Sequence, residues 1–330
     1  MENNNSTREI NPNGLILLWA FAESGIGGIL HALKLPFTGI FVGGIAIICI
    51  SLLSYFTNNR LTILKALGVV LLVKFTVSPH SPWQAYVAVV FQAYLGYFLF
   101  KSNKHFNAKC LIFSLVCMLE SAIQRVLIMV FIYGMTFMKA VDKAALSFAQ
   151  TLGINEIPSF VFGVFSIYIF LHIVAGVILG LWLPTIPHKL WNLDIKIPET
   201  VVLPSRVMKK NVLQALSIGF LILAGVLMMI KFLVPELPAT EIIYIFIRSL
   251  LVSVALIFIL GPVMKALILK YTIDTSHQNQ QLLKEIVADI PDFAGRALAL
   301  VHQVNNEYTG VKKLKIYILG LLQLSLDYKK

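Results

Sequence analysis

The 330-residue chain reads as an all-α polytopic membrane protein: a six-helix bundle, then a two-helix membrane hairpin and a cytoplasmic helical tail. Three observations carry this reading. Hydrophobic residues make up 58% of the chain and charged residues only 13%, where soluble domains carry roughly a quarter charged. Apolar runs of bilayer-crossing length, about twenty residues, recur along the sequence. Backbone polar groups in lipid must be satisfied inside a helix or a closed barrel, and uninterrupted runs of this length select the helix. A soluble enzyme is excluded on this composition.

The opening MENNNSTREI mixes Glu2, Arg8 and Glu9 and is followed by no small-residue cleavage pattern, so the first run is expected to be a retained helix and not a signal peptide. Candidate spans follow at about 14–33, 36–56, 62–78, 82–100, 110–135 and 158–183, then 211–233 and 241–264. These divide the chain into a six-helix substrate-binding membrane domain (1–185), a cytoplasmic linker (186–210), a membrane hairpin (211–264) and an amphipathic helical tail (265–330). The break is compositional, since 184–210 carries four prolines and five cationic residues between apolar runs.

In the tail, Leu282, Ile286 and Ile290 recur at helical spacing, Pro291 is expected to break the pattern, and a second helix is expected near Phe293. The last apolar stretch, 314–326, is too short to span and is expected in the interface or against a partner helix. Cys49, Cys110 and Cys117 all lie inside apolar runs without disulfide or metal-ligand spacing and read as core.

Orientation follows from the short loops. One set holds Arg8, Arg60, Lys65, Lys101, Lys104, Lys109, Lys189, Lys196, Arg206, Lys209, Lys210, Lys265 and Lys270; the other holds Lys34, Lys139, Lys143 and Lys231. This bias places both termini in the cytoplasm of a cell inner membrane. The net charge of +11 is then explained by attraction to anionic membrane lipids, with no nucleic-acid partner expected.

Charges inside the apolar runs point to function, because an ionisable group near the bilayer centre is costly and normally faces a cavity or a partner. Glu23, Lys74, Glu120, Arg125, His172 and Arg248 are such groups. A structural ion-pair network, a polar substrate pocket and a proton relay all fit them. Glu120 and Gln124 share a helix face, while Arg125 is rotated away from Glu120.

Three outer connections add candidates: 31–37 with His31 and Lys34, the proline-bracketed turn at 78–83 with His80 beside Trp83 and Gln84, and the stretch 138–157. There Val141, Ala145, Phe148 and Leu152 fall on one face of a short amphipathic helix, expected over the six-helix block as a lid or as ordinary loop packing. The substrate-binding candidates are therefore Lys34, Lys74, His80, Gln84, Glu120, Arg125 and His172. The surplus of outer cations tilts the ligand toward an anion or a carboxylate. Small residues at four-residue spacing, Ala20, Ser24 and Gly28, mark a close-packing stripe, either internal or for another membrane subunit.

The segments ALKLPFTGIFVGG and KFTVSPHSPWQAYVAVVFQAYLGYFLF, with six helices before residue 186 and the small-residue stripe, resemble substrate-binding (S) components of energy-coupling factor transporters over about residues 14–185. The resemblance implies a compact membrane protein that captures a vitamin-like micronutrient from the outer side, beneath the three outer connections. It also implies a transmembrane coupling subunit that meets the stripe Ala20, Ser24 and Gly28. Residues 186–330 depart from that pattern; within them Gly295-Arg296-Ala297 is similar to the small-Arg-small signature by which coupling subunits contact their ATPases.

The chain has no G-x-x-x-x-G-K-[ST] loop, so nucleotide hydrolysis would need a separate ATPase or coupling subunit at the cytoplasmic face. No catalytic residues, metal or cofactor are expected. A non-catalytic membrane scaffold and an intramembrane enzyme acting on a lipid-like substrate stand as the alternative classes.

Overall fold

A computed structural model describes residues 12–32, 37–57, 59–78, 81–102, 104–191, 212–272 and 277–326. Among these the chain is helical throughout its regular structure, with no strand. Helix α1 (Pro12–Phe21) opens on a proline, whose missing N–H and fixed φ suit the first helical turn. It widens into a π-turn over Ala22–Ile26, where the Gly27 N–H reaches back to the Ala22 carbonyl, and continues as α2 (Gly27–Ala32). The following helices are α3 (Thr38–Thr57), α4 (Leu61–Val77), α5 (Trp83–Leu99), α6 (Phe106–Thr151), α7 (Phe160–Trp182) and the short α8 (Ile186–Trp191). Then come α9 (Val212–Leu233), α10 (Ala239–Ala255), a second π-turn at Leu256–Leu260, α11 (Gly261–Thr272), α12 (His277–Glu307) and α13 (Gly310–Leu326).

Four helical stretches are long and apolar enough to cross a membrane: Thr38–Thr57, Phe106–Thr151, Phe160–Leu190 and Ala239–Lys270. The lipid-like face of α7 and α10 is plain in their exposed Phe162, Phe170, Ile178, Ile243 and Leu251. Helix α1 is different. Leu15 to Ala20 are all buried, so it is covered on every side and needs no polar face.

Much of that cover comes from the tail. The face of α12 formed by Ile286, Phe293, Ala297, Leu300 and Val304 joins the main core, and the Phe293 ring meets Phe21 edge-on with centroids 5.5 Å apart. On α13, Leu319, Leu321, Leu322 and Leu324 are buried in the same cluster. A Cβ at Gly14 would collide with the Ser325 carbonyl oxygen, so the two backbones meet there and only glycine fits. Pro291 does not break the pattern as expected: α12 runs through it unbroken. A proline removes one hydrogen bond of the ladder, but the apolar face on either side of it packs on one continuous surface, and burial of that face holds the helix together.

The outer segment also differs from the expectation. Residues 135–151 continue α6 beyond a break at Gly134 (φ 80°, ψ 166°), a conformation open to glycine. Ala140 and Ala144 then pack against Leu223, Leu227 and Ile230 of α9, with Leu237 and Ile245. Phe148 and Leu152 stay exposed. The hairpin, with its own apolar side to bury, takes the surface that the six-helix block was expected to take. Two polar contacts fasten this arrangement: Ser147 Oγ donates to the Leu233 carbonyl (2.6 Å), and Arg248 Nη2 donates to the Phe131 carbonyl (3.5 Å) beside the Gly134 break. The half-buried guanidinium thus lies over one carbonyl of the turn before the helix break, in an exposed contact.

Phe293→Ala empties a fully buried ring site and is expected to cost ~3–5 kcal/mol, read as lost stability in mild detergent. A loss no larger than that of the exposed control Leu298→Ala would mean that the tail is a separable unit.

Candidate binding site

The first two charges inside the apolar runs meet each other. Lys74 sits in the last turn of α4 and Glu23 in the π-turn after α1; Lys74 Nζ and Glu23 Oε2 lie 2.5 Å apart, with side chains 1% and 5% exposed. Lys74 Nζ also donates to the Ala85 carbonyl (3.4 Å) and lies 5.6 Å from the centre of the Tyr86 ring, while the Tyr86 hydroxyl donates to the Lys74 carbonyl (3.5 Å). Ser78 N–H, at the end of the helix, donates to the same carbonyl (3.0 Å). The lysine thus ties α1, α4 and the start of α5 together through its pairing with Glu23, and Lys265 Nζ of α11 lies 5.1 Å from the centre of the same Tyr86 ring.

A second set of polar groups lies between α3, α5, α6 and α7. Helices α6 and α7 run antiparallel in close contact: Ser114 Oγ donates to the Gly176 carbonyl (2.8 Å). This brings His172, fully buried, toward the α3 end, where a Cβ at Gly39 would crowd Ser121 Oγ and come within 3.9 Å of His172 Nε2. Tyr168 and His172 rings lie 4.4 Å apart, and Phe37 stacks on Tyr168 at 6.0 Å. His172 Nδ1 lies 2.9 Å from the Tyr168 carbonyl. A carbonyl only accepts, so Nδ1 carries the proton and Nε2 of the neutral ring is a bare acceptor.

On the α5 side, Gln124 Nε2 donates to the Gln84 carbonyl (3.3 Å). That bond sets the register of the antiparallel α5 and α6. Glu120, one turn from Gln124, therefore faces the part of α5 between Gln84 and Gln92, which are two turns apart on one face. Gln92 is itself buried, and its Nε2 would stand 3.2 Å from a Cβ at Gly43, one turn along α3 from Gly39. Four buried atoms here have no hydrogen-bond partner: Gln84 Oε1, Gln92 Oε1, Glu120 Oε2 and His172 Nε2. Buried polar atoms are normally satisfied, so four of them in one region mark these side chains as the candidate site.

Of the sequence candidates, the structure brings Gln84, Glu120 and His172 to one region and places Arg125 within electrostatic range of Tyr168 and His172. Among the described residues Arg125 forms no ion pair with Glu120. Lys74 lies apart from them with Glu23. Lys34 and His80 lie outside the described residues. The small-residue stripe faces this chain's own helices: Ala20 and Ser24 are buried, Ser24 Oγ donates to the Ala20 carbonyl (2.6 Å), and Gly28 lies against Ser78 Oγ. Arg296 on α12 pairs with Asp292 one turn away (3.0 Å).

No family model, no characterised protein and no solved structure matches the chain. The site therefore stands on its geometry. Gln92 and Tyr168 enter it without having been singled out in the sequence. Gln92 carried a readable signal, a polar residue eight positions from Gln84 in an otherwise apolar helix; Tyr168 carried none.

Removing one member of a buried ion pair leaves an uncompensated charge, at a cost of ~3–5 kcal/mol. Lys74→Met should therefore destabilise the chain strongly, and Lys74→Met with Glu23→Gln should recover most of the loss, measured as a double-mutant cycle of unfolding in detergent. Additive losses would mean that the pair is not the source of the cost.

Proposed function

We propose that the chain is the membrane-embedded recognition component of an uptake transporter, which takes a small polar molecule from the outer side at the α3–α5–α6–α7 cluster. The observation that carries this reading is the set of four partnerless acceptors in one buried region of an apolar block. A scaffold would be expected to pair such groups with one another, as Glu23 and Lys74 are paired. In this reading the eight apolar runs are membrane segments, both termini are cytoplasmic, and the first six runs form an S-component-like unit binding a vitamin-like micronutrient.

Energy comes from a separate cytoplasmic ATPase or coupling subunit. Because α12 and α13 occupy the surface of α1 where a coupling subunit would sit, such a partner meets the exposed faces of these tail helices, and the C-terminal module mediates the contact. Membrane lipids cover the apolar faces of α7 and α10.

The test is mass spectrometry of the chain purified in mild detergent from its native membranes. A small molecule should be retained by the parent and lost in Glu120→Gln and His172→Ala, while a soluble ATPase should co-purify in all three. A parent that carries no small molecule at any step overturns the binding assignment, and recovery without an ATPase overturns the coupling.

A further inference from the structure

Given that the cluster is a binding site, the unpaired atoms specify the charge of what enters it. Gln84 Oε1, Gln92 Oε1 and Glu120 Oε2 are acceptors by chemistry, and His172 Nε2 is an acceptor because Nδ1 donates to the Tyr168 carbonyl. No donor is matched to any of them. Glu120 is also the one carboxylate in the sequence of α3, α5, α7 and the part of α6 before Gly134.

The cations of the neighbourhood do not neutralise it. Lys74 is paired with Glu23, Lys265 lies over the Tyr86 ring, and Arg125, the remaining charge on that stretch of α6 besides Lys109 near its start, lies toward the Tyr168 and His172 side; among the described residues none of them pairs with Glu120. Glu120 is half-buried with one carboxylate oxygen sealed from solvent, and such a group is costly unless a cation or a strong donor meets it.

We propose that the group bound between Gln84, Glu120 and Gln92 is positively charged: an ammonium group of an amine-bearing solute, or an alkali cation. The anionic preference expected from the outer cations is reversed, since Lys74 is paired with Glu23 and Arg125 lies toward Tyr168 and His172. An ammonium group offers three N–H donors, enough for the Glu120 carboxylate and two of the neutral acceptors; an alkali cation takes the same oxygens as ligands. Arg125 biases the positive group away from His172 and toward the α5 side.

The experiment uses the full chain in lipid nanodiscs and follows its thermal unfolding during titration with methylammonium chloride, sodium chloride or the acetate salt of the bulky cation N-methylglucamine. Ionic strength is held with N-methylglucamine chloride. A saturable stabilisation by methylammonium alone identifies an amine-bearing solute, and one by sodium alone an alkali cation. In either case Glu120→Gln should weaken the apparent affinity by about tenfold or more, as expected for loss of a charged hydrogen-bond partner, and Leu127→Ala on the exposed side of α6 should not.

Saturable stabilisation by acetate and not by the two cations overturns the cationic assignment while leaving a binding site in place. Absence of saturable stabilisation by every probe, with Glu120→Gln as stable as the parent or more so, overturns the site itself.

Discussion

A lysine and a glutamate sealed together inside an apolar block form the constraint on which the rest of the structure depends. Neither Lys74 nor Glu23 can be buried alone without a cost of several kcal/mol, so the end of α4 and the π-turn after α1 must meet, and the start of α5 closes over them through Ala85 and Tyr86. With that junction made, α1 lies at the centre and its buried side chains require cover from α3, α4, α12 and α13. The C-terminal helices are thereby part of the main core, and a surface of α1 that would otherwise be open is closed by the chain itself.

The same accounting distributes the other interior polar groups. Arg248 rests on a carbonyl beside the Gly134 break and ties the hairpin to α6. His172 satisfies one ring nitrogen with the backbone one turn before it. Among the unmatched buried atoms, Gln84 Oε1, Gln92 Oε1, Glu120 Oε2 and His172 Nε2 gather in one region, and the proposed function and the charge of the ligand both follow from that group.

Much of the architecture was legible because hydropathy is local: each apolar run falls on helix, although the helix over 110–135 runs on to Thr151 and that over 241–264 to Thr272. Pairing was not. Lys74 and Glu23 are 51 residues apart, and the π-turn shifts the phase of the helix that carries Glu23, so no α-helical spacing predicts which way its side chain points. The small residues Ala20, Ser24 and Gly28 could be read as a close-packing stripe, but a stripe does not say which helix fills it. Pro291 was misleading because its local effect is real and the packing of Phe293, Ala297 and Leu300 outweighs it. At 138–157 the amphipathic character was readable, whereas the partner was set by the unburied side of α9 and α10. The identities of Glu120, His172 and Gln84 were visible as polar residues in apolar surroundings; that their free atoms are all acceptors depended on Nδ1 of His172 meeting a carbonyl, a fact of conformation.

The central claim is that the interior cations and carboxylates are sorted, with Lys74 closed on Glu23 and Glu120 left for a ligand. Its most direct test is a cryo-EM map of the chain purified from its own membranes, reconstituted in nanodiscs and enlarged with a rigid antibody fragment. The account predicts continuous density between Lys74 and Glu23, and density not belonging to the protein in contact with Glu120 between Gln84 and Gln92. Lys74 turned toward Glu120, or Arg125 paired with Glu120 across a closed gap, would contradict it.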